Sequence, residues 1–275
     1  MIITFWSHEK EETAKTSSIA AITTLFTLEN NFKCLLTQTH HRNKSLESCF
    51  WKIVDVEQNK FLEGKKGVEL DTGIDGLLKL LSSNKLTPES ITNYTKVIFK
   101  NRLEVLFGEK VKTAEEYEII KSSYKEIIYS ANKSYDLVFV DLTKGTDDIV
   151  AQDILKISDL VVVNVSQRMD VIEEYIRIAE NDPLFDKKKT LLLLGRYDKF
   201  SKYSDKNIAR ETGIKQIYTI PYNTLFFEAC NEGLVADFLI KYRNVDENDR
   251  NYIFVSETRK IVQAVLDKIN EFHRG

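Results

Sequence analysis

The sequence predicts an α/β fold with a doubly wound, mostly parallel sheet flanked by helices. Short apolar runs recur along the 275 residues, and helix-length amphipathic segments separate them. Continuous rather than alternating apolar runs are typical of strands buried on both faces of a parallel sheet. The intervening segments carry apolar residues at three- and four-residue spacings, as crossover helices do. One domain spanning residues 1–275 is the simplest organisation for this length.

Apolar runs flanked by polar residues mark the strands. The four clearest runs are Met1–Trp6, Leu137–Val140, Leu160–Val163 and Leu191–Leu194. Further strands are expected at Lys33–Thr37 and Gln216–Ile220.

Amphipathic spacing marks the helices. They are predicted at Lys15–Leu28, Ala114–Ala131, Asp147–Ile157, Val171–Glu180 and Tyr252–Phe272. The last helix has an apolar stripe ending at Phe272, which could lie on a membrane or pack on the sheet. Its polar face mixes Lys268 with Asp267 and Glu271 instead of being basic, so packing on the sheet is favoured.

Composition limits the classes of partner and the compartment. The 39 Lys+Arg and 42 Asp+Glu give a net charge of -3, so no global field draws the chain to DNA or to an anionic membrane. No run approaches the roughly 20 apolar residues of a membrane helix, and the opening run is too short for a signal peptide. Three widely spaced cysteines form no disulfide or zinc pattern. We therefore expect a cytoplasmic protein with no integral membrane segment and reduced, mostly structural cysteines.

The segment from Phe5 to Ser17 is a predicted strand, a loop and the start of a helix. A phosphate loop has this layout because helix N-terminal amides and a Lys ammonium neutralise phosphate charge, while a Thr hydroxyl ligates magnesium. Lys15, Thr16 and Ser17 occupy these places. They are candidate cofactor-binding residues, and Thr16 is a candidate metal ligand.

The loop departs from the usual glycine pattern. Against GxxxxGK[ST], the two glycine positions are Glu9 and Ala14, and Glu11 and Glu12 follow in the same loop. Glycine is used there because the backbone approaches the phosphates closely and adopts dihedrals that a Cβ disfavours. Each carboxylate a few ångströms from a phosphate would cost about 1 to 4 kcal/mol. The alternative is a charged, solvated loop followed by an ordinary helix with an exposed Lys15.

Later segments resemble the motifs of ParA/MinD proteins, a group of P-loop ATPases. Ser134–Leu142 resembles the YDxxxxD strand of that superfamily, and Ser158–Val165 resembles its A-D-x-V-x-V strand. Tyr218–Asn223, followed by Glu228, Ala229 and Gly233, is similar to its IPxN…EAxxxG segment, and Asn101–Gly108 to its LxVLPG stretch. Together with the opening loop, these motif-like segments follow the order and spacing of the superfamily over nearly the whole chain.

The resemblance implies roles for particular residues. Lys10 would be the signature lysine that reaches across a nucleotide-sandwich homodimer, and Asp141 would lie beside magnesium; these two are the candidate catalytic residues. Asp141 joins Thr16 as a candidate metal ligand. Arg196 and Pro221 are candidate cofactor-binding residues near the base. The implied cofactors are ATP and Mg²⁺. In the superfamily, a DxD element after the second strand supplies a carboxylate that helps to position the attacking water. Here this element falls on Thr37 and Thr39, so hydrolysis is expected to be slow or absent.

Within the superfamily, Phe5-Trp6-Ser7 and Thr37–His40 look most like TadZ/CpaE-type proteins, which place pilus-assembly machinery. This implies protein partners from a localisation, secretion or pilus system. The receiver-like N-terminal domain usual in that subgroup is not expected here, because residue 2 already begins the predicted ATPase strand.

Other interpretations remain open from the sequence. Asp141 could cap the following turn or helix, and His8, His40 and His41 could contribute to a metal site. The basic and aromatic segment 187–203 could contact nucleic acid, although a solvated rim is favoured. The main functional alternative is a pseudo-ATPase scaffold that binds no nucleotide and acts through protein contacts. An unrelated small-molecule enzyme on the same fold is a third hypothesis.

Overall fold

The computed structural model describes residues 1–9, 13–40, 45–52, 73–107, 121–143, 145, 149–186 and 189–274. These residues form one sheet of eight strands with helices on both faces, which confirms the predicted fold class. The strand order is β3-β4-β2-β5-β1-β6-β7-β8, and all neighbours are parallel except β3 and β4. The strands are β1 Ile2–Trp6, β2 Cys34–Gln38, β3 Lys96–Phe99, β4 Leu103–Leu106, β5 Leu137–Asp141, β6 Leu160–Val165, β7 Thr190–Tyr197 and β8 Ile217–Pro221.

All the predicted strands are present, with shifted bounds. β3 and β4 were not predicted. β3 is half-exposed at the sheet edge and therefore lacks the continuous apolar run that marks the buried strands. β4 is buried but includes Glu104, which interrupts its apolar run.

The described α-helices lie between the strands, except that none lies between β3 and β4 and that three follow β8. They are α1 Lys15–Glu29, α2 Ser45–Ser48, α3 Ile74–Ser82, α4 Ser123–Ala131, α5 Ile149–Ile157, α6 Met169–Asn181, α7 Asp205–Thr212, α8 Thr224–Glu232, α9 Val235–Tyr242 and α10 Tyr252–Arg274.

Two predicted helices differ from the structure at their starts: the helix predicted from Val171 begins at Met169, and the helix predicted from Ala114 has a turn at residues 121–122. The predicted helix Ala114–Ala131 begins only at Ser123, because residues 121–122 form a turn in which the Tyr124 amide bonds the Lys121 carbonyl; residues 114–120 lie outside the described part. The helix predicted from Asp147 is described from Ile149.

Two hydrophobic layers sandwich the sheet. In one layer, α1, α8, α9 and α10 pack on the sheet face that carries Ile3 and Phe5. In the other layer, the helices from α3 through α7 pack on the opposite face, which carries Ile2 and Trp6. Each large aliphatic or aromatic side chain buried in this way contributes about 1.5–3 kcal/mol. The stripe of α10 packs on β8 and α1, as predicted, except that Phe272 is exposed. The three cysteines are buried free thiols.

The strand order changes direction at β1, and this indicates where a ligand would bind on the sheet. β1 lies between β5 and β6, and β5 separates it from β2, so successive strands are not neighbours at this point. Open α/β sheets bind ligands at the carboxyl ends of strands where the order changes in this way. Within the described ranges, no helix is both long and apolar enough to cross a membrane.

Candidate functional site

The turn between β1 and α1 keeps a conformation that glycine normally supplies. Ala14, directly before α1, has φ of 52° and ψ of 27°, in the left-handed region. This backbone costs a residue with a Cβ about 1–2 kcal/mol. Ala14 provides no side-chain cap for the first amide groups of α1. Amides at a helix N-terminus form a site that favours anions.

Three side chains meet at the carboxyl end of β5. Lys15 Nζ lies 2.9 Å from Asp141 Oδ1 and also donates to the Leu142 carbonyl. Thr16 Oγ1 donates to Asp141 Oδ2 at 2.6 Å. Lys15 is 4% exposed, so the alternative of an exposed lysine on a solvated loop is wrong. The described partners of the Asp141 carboxylate are Lys15, Thr16 and His40. Residues 144 and 146–148, which lie ahead of α5, are outside the described part, so the capping alternative stays untested.

The environment of Asp141 keeps its carboxyl ionised. Complete burial raises its pKa, because a low-dielectric surrounding disfavours the charged form. The Lys15 ammonium, His40 and the Thr16 hydroxyl outweigh burial, so the pKa lies below its ordinary value. Asp141 is therefore a buried anion in contact with a buried cation.

The end of β2 brings a histidine to this cluster. His40 Nε2 lies 3.3 Å from Lys15 Nζ, and its Nδ1 lies 3.9 Å from Asp141 Oδ2. The two threonines at the DxD positions have structural contacts: Thr37 Oγ1 donates to the Leu106 carbonyl at 3.2 Å, and Thr39 Oγ1 accepts from the Thr143 amide at 2.9 Å. The sequence suggested His40 as a possible metal ligand and as part of the Thr37–His40 motif, but it did not indicate the position of His40 beside Lys15.

A cavity of about 280 Å³ opens over this cluster. Its wall includes Lys15, Thr16 and Ser17 from the start of α1, Arg196 from β7 and Pro221 from β8. All five cofactor-binding candidates therefore line one cavity. Its donors fit phosphate, through the α1 amides and Lys15. Of the two candidate metal ligands, Thr16 lines the cavity, whereas Asp141 is fully buried in contact with Lys15 and Thr16 and is not part of the cavity wall.

The backbone of Thr13, just ahead of α1, packs closely against Gly195 of β7. A Cβ built on Gly195 would lie 2.1 Å from the Thr13 carbonyl oxygen, so only glycine admits this contact. The sequence motifs did not indicate this role of Gly195. The relevant signal is a glycine at the end of a buried strand, which often marks a close backbone approach.

Glu9 turns away from the cavity. Its Oε2 accepts from the Ser166 amide and its Oε1 accepts from the Ser166 hydroxyl, both at 2.7 Å. Glu9 is not among the residues that line the cavity. Glu9 also has no positive φ, so its position does not require glycine. The expectation that this carboxylate stands where an anion binds is therefore wrong.

Several candidates lie outside the described residues. They are Lys10, Glu11, Glu12, His41, Lys187 and Lys188. The rest of the basic and aromatic segment includes Phe200, which is 85% exposed, and Lys199, which lies over the Phe200 ring.

Comparison with solved structures identifies similar folds. A ParA family ATPase from Chlorobium tepidum TLS has a TM-score of 0.71 at 12% identity, covering 95% of this chain and 98% of that chain. A chain of the MinC:MinD cell division complex from Aquifex aeolicus gives 0.65 at 15% identity, covering 95% of each. The septum site-determining protein MinD from Pyrococcus horikoshii OT3, complexed with Mg-ADP, gives 0.62 at 15% identity, covering 97% and 98%.

These similarities concern structure, not close sequence relationship. No protein-family model matches the sequence, and no curated protein matches it. The chain has the fold of the ParA/MinD ATPases over nearly its whole length.

Proposed function

We propose that this chain binds ATP with Mg²⁺ in the cavity over Lys15 and uses its nucleotide state to position or assemble a partner complex, with slow or absent hydrolysis. The observation that carries the proposal is the convergence of Lys15, Thr16 and Asp141. Lys15 Nζ and Thr16 Oγ1 lie 2.9 and 2.6 Å from the two carboxylate oxygens of Asp141. Sequence motifs 125 residues apart thus form one site.

Each residue has a distinct role in this proposal. The ammonium of Lys15 leaves the Leu142 carbonyl and binds phosphate oxygens, together with the first amides of α1. Thr16 and Asp141 would hold the magnesium, which would neutralise phosphate charge. Arg196 and Pro221, which also line the cavity, would contact the base. Lys10 contributes across a homodimer.

Slow or absent hydrolysis follows from the groups that surround the phosphate site. Phosphoryl transfer to water needs a residue that orients the attacking water. Thr37 and Thr39 bring no carboxylate, and their hydroxyls bind the Leu106 carbonyl and the Thr143 amide. The pocket can therefore bind a nucleotide without turning it over rapidly.

The partners are proposed from the fold and the motif likeness. MinD is a component of the MinC:MinD cell division complex, which illustrates an assembly role for this fold. For this chain we propose a homodimer in the cytoplasm that contacts protein partners of the TadZ/CpaE type, in a localisation, secretion or pilus system. Nucleic acid is not favoured, because the net charge is -3.

Calorimetric titration with ATP and Mg²⁺ tests the binding proposal. The wild-type protein is expected to bind, and Lys15→Ala to weaken binding at least tenfold, because it removes the buried cation at the phosphate end. Lys206→Ala, on the exposed side of α7, is the matched control and is expected to bind like wild type. Absence of wild-type binding at millimolar ATP would contradict the proposal.

A pseudo-ATPase scaffold is the second candidate. It is favoured by the engagement of Lys15 and Thr16 with Asp141 and the Leu142 carbonyl, since a nucleotide must compete with these contacts. The titration with ATP and Mg²⁺ separates the two, because the scaffold binds no nucleotide, and a turnover assay adds a second test. Magnesium-dependent ATP hydrolysis that disappears in Asp141→Ala would exclude the scaffold.

A further inference from the structure

We propose that Glu9 is a positioning residue that anchors the phosphate loop to the end of β6, and that it thereby strengthens nucleotide binding instead of opposing it. This inference rests on the proposed ATP site. It reverses the effect expected of a carboxylate at a glycine position in the phosphate loop.

The first step is the geometry of the contact. Both oxygens of Glu9 are used: Oε2 accepts from the Ser166 amide and Oε1 from the Ser166 hydroxyl, each at 2.7 Å. The Glu9 amide in turn donates to Ser7 Oγ at 3.1 Å. Hydrogen bonds to an ionised acceptor are stronger than neutral ones, so this contact holds the start of the loop in one place.

The second step is what Ser166 requires. It follows the last residue of β6 and is 8% exposed, so its amide and hydroxyl have little access to water. Buried donors without acceptors are unfavourable. The Glu9 carboxylate supplies acceptors for both, which glycine at position 9 could not do.

The third step connects the two ends of the loop. β6 and β7 pair in parallel with Val165 opposite Leu194, so Ser166 and Gly195 are the next residues along the two neighbouring strands. Glu9 accepts hydrogen bonds from Ser166. Thr13 packs against Gly195 so closely that a Cβ added to Gly195 would lie 2.1 Å from the Thr13 carbonyl oxygen. The loop is thus held at both described ends by adjacent strands, directly ahead of Lys15.

The fourth step concerns charge. A carboxylate near the phosphates would weaken binding, but Glu9 does not line the cavity and its charge is directed to the Ser166 donors. Anchoring and repulsion therefore make opposite predictions for the removal of this side chain. Repulsion predicts tighter ATP binding, and anchoring predicts weaker binding.

Three variants separate these effects in titrations with ATP and Mg²⁺. Glu9→Gly, which restores the usual loop residue, is expected to raise the Kd for ATP about tenfold. Glu9→Gln loses the charge but can accept from the Ser166 amide with its oxygen, and it is expected to stay within about threefold of wild type. Ser166→Ala removes one of the two donors and is expected to raise the Kd by an intermediate factor.

Two further measurements make the result decisive. The Glu9→Gly/Ser166→Ala double variant is expected to bind no more weakly than Glu9→Gly alone, because both changes break the same contact. The melting temperature of each variant without nucleotide shows whether it folds, and the affinities are compared among folded variants. If Glu9→Gly does not fold, the Kd values of Glu9→Gln and Ser166→Ala for ATP are compared with each other and with wild type instead.

The outcomes distinguish this inference from the proposed function. Absence of ATP binding by the wild-type protein would overturn both. Wild-type binding with equal or tighter binding by Glu9→Gly would overturn the anchoring role alone. Tighter binding by Glu9→Gln would show that the charge of Glu9 acts on the phosphates, which also overturns it.

Discussion

The hydroxyl of Thr16 donates a 2.6 Å hydrogen bond to Asp141 Oδ2, although 125 residues separate the two along the chain. The other oxygen of Asp141 lies 2.9 Å from Lys15 Nζ. Both oxygens of a fully buried carboxylate are thus engaged by the first two residues of α1. This cluster joins the start of α1 to the end of β5, and its contribution to stability can be measured.

Asp141→Asn is expected to lower the free energy of unfolding by about 3 kcal/mol, because it leaves the buried Lys15 ammonium without its counter-charge. Urea denaturation measures this change. Asp267→Asn, at an exposed position of α10, is the control and is expected to change stability by less than about 0.5 kcal/mol. If the Lys15→Met/Asp141→Asn double variant is no more stable than Asp141→Asn alone, the uncompensated charge is not the cause.

Stability is expected to fall in acid partly through Asp141. Its folded-state pKa lies below the ordinary value of 3.8, so the unfolded chain takes up this proton first as the pH drops. The contribution of Asp141 is therefore fully present well above pH 3.8 and is lost as the pH falls through the lowered pKa. Urea midpoints between about pH 6 and pH 3 should decline less steeply for Asp141→Asn than for wild type. Equal slopes would show that Asp141 titrates alike in both states.

Gly195→Ala is expected to weaken ATP binding at least tenfold, because its Cβ would lie 2.1 Å from the Thr13 carbonyl oxygen and displace the loop. Gly213→Ala is a matched control: Gly213 has φ of +74° but no atom within 4 Å of an added Cβ. That change should cost about 1 kcal/mol of stability through backbone strain and leave the Kd for ATP unchanged. Calorimetry and urea denaturation measure the two effects, and similar Kd values for both variants would contradict the steric account.

Tyr135→Phe is expected to destabilise the fold by about 1–3 kcal/mol, because Glu104 is buried and accepts a hydrogen bond from the Tyr135 hydroxyl. Burial and the contact with Glu104 raise the pKa of Tyr135, so the phenol stays a neutral donor at ordinary pH. The exposed Tyr129 on α4 provides the control, Tyr129→Phe, with an expected change below about 0.5 kcal/mol. Equal denaturation midpoints for the two variants would show that the Glu104 contact adds nothing.

The fold was predictable because its central strands are buried on both faces. β1, β5 and β6 have buried residues at every position, so their apolar runs are continuous and easily recognised. β3 is half-exposed and has no such run. The start of α4 depends on a local turn at residues 121–122, which apolar spacing does not report.

The site was predictable only in part, because its lining residues were suggested by motifs while its contacts depend on tertiary structure. Lys15, Thr16 and Asp141 each stand at a motif position, and the structure brings them together. Spacing does not reveal that Glu9 would find donors on Ser166, 157 residues away. Nor does it reveal that the Cβ of Ala14 would be accommodated in a left-handed turn.

The position of β1 determines how a ligand in the cavity would affect amide exchange in the rest of the sheet. β1 is hydrogen-bonded along both sides, to β5 and to β6, and its residues are almost wholly shielded from water. Its amides can exchange with deuterium only when the middle of the sheet opens, which is the rarest fluctuation of such a protein. The loop ahead of α1 therefore continues directly from a strand that is protected on both sides, and we expect a ligand held there to slow exchange in both halves of the sheet at once.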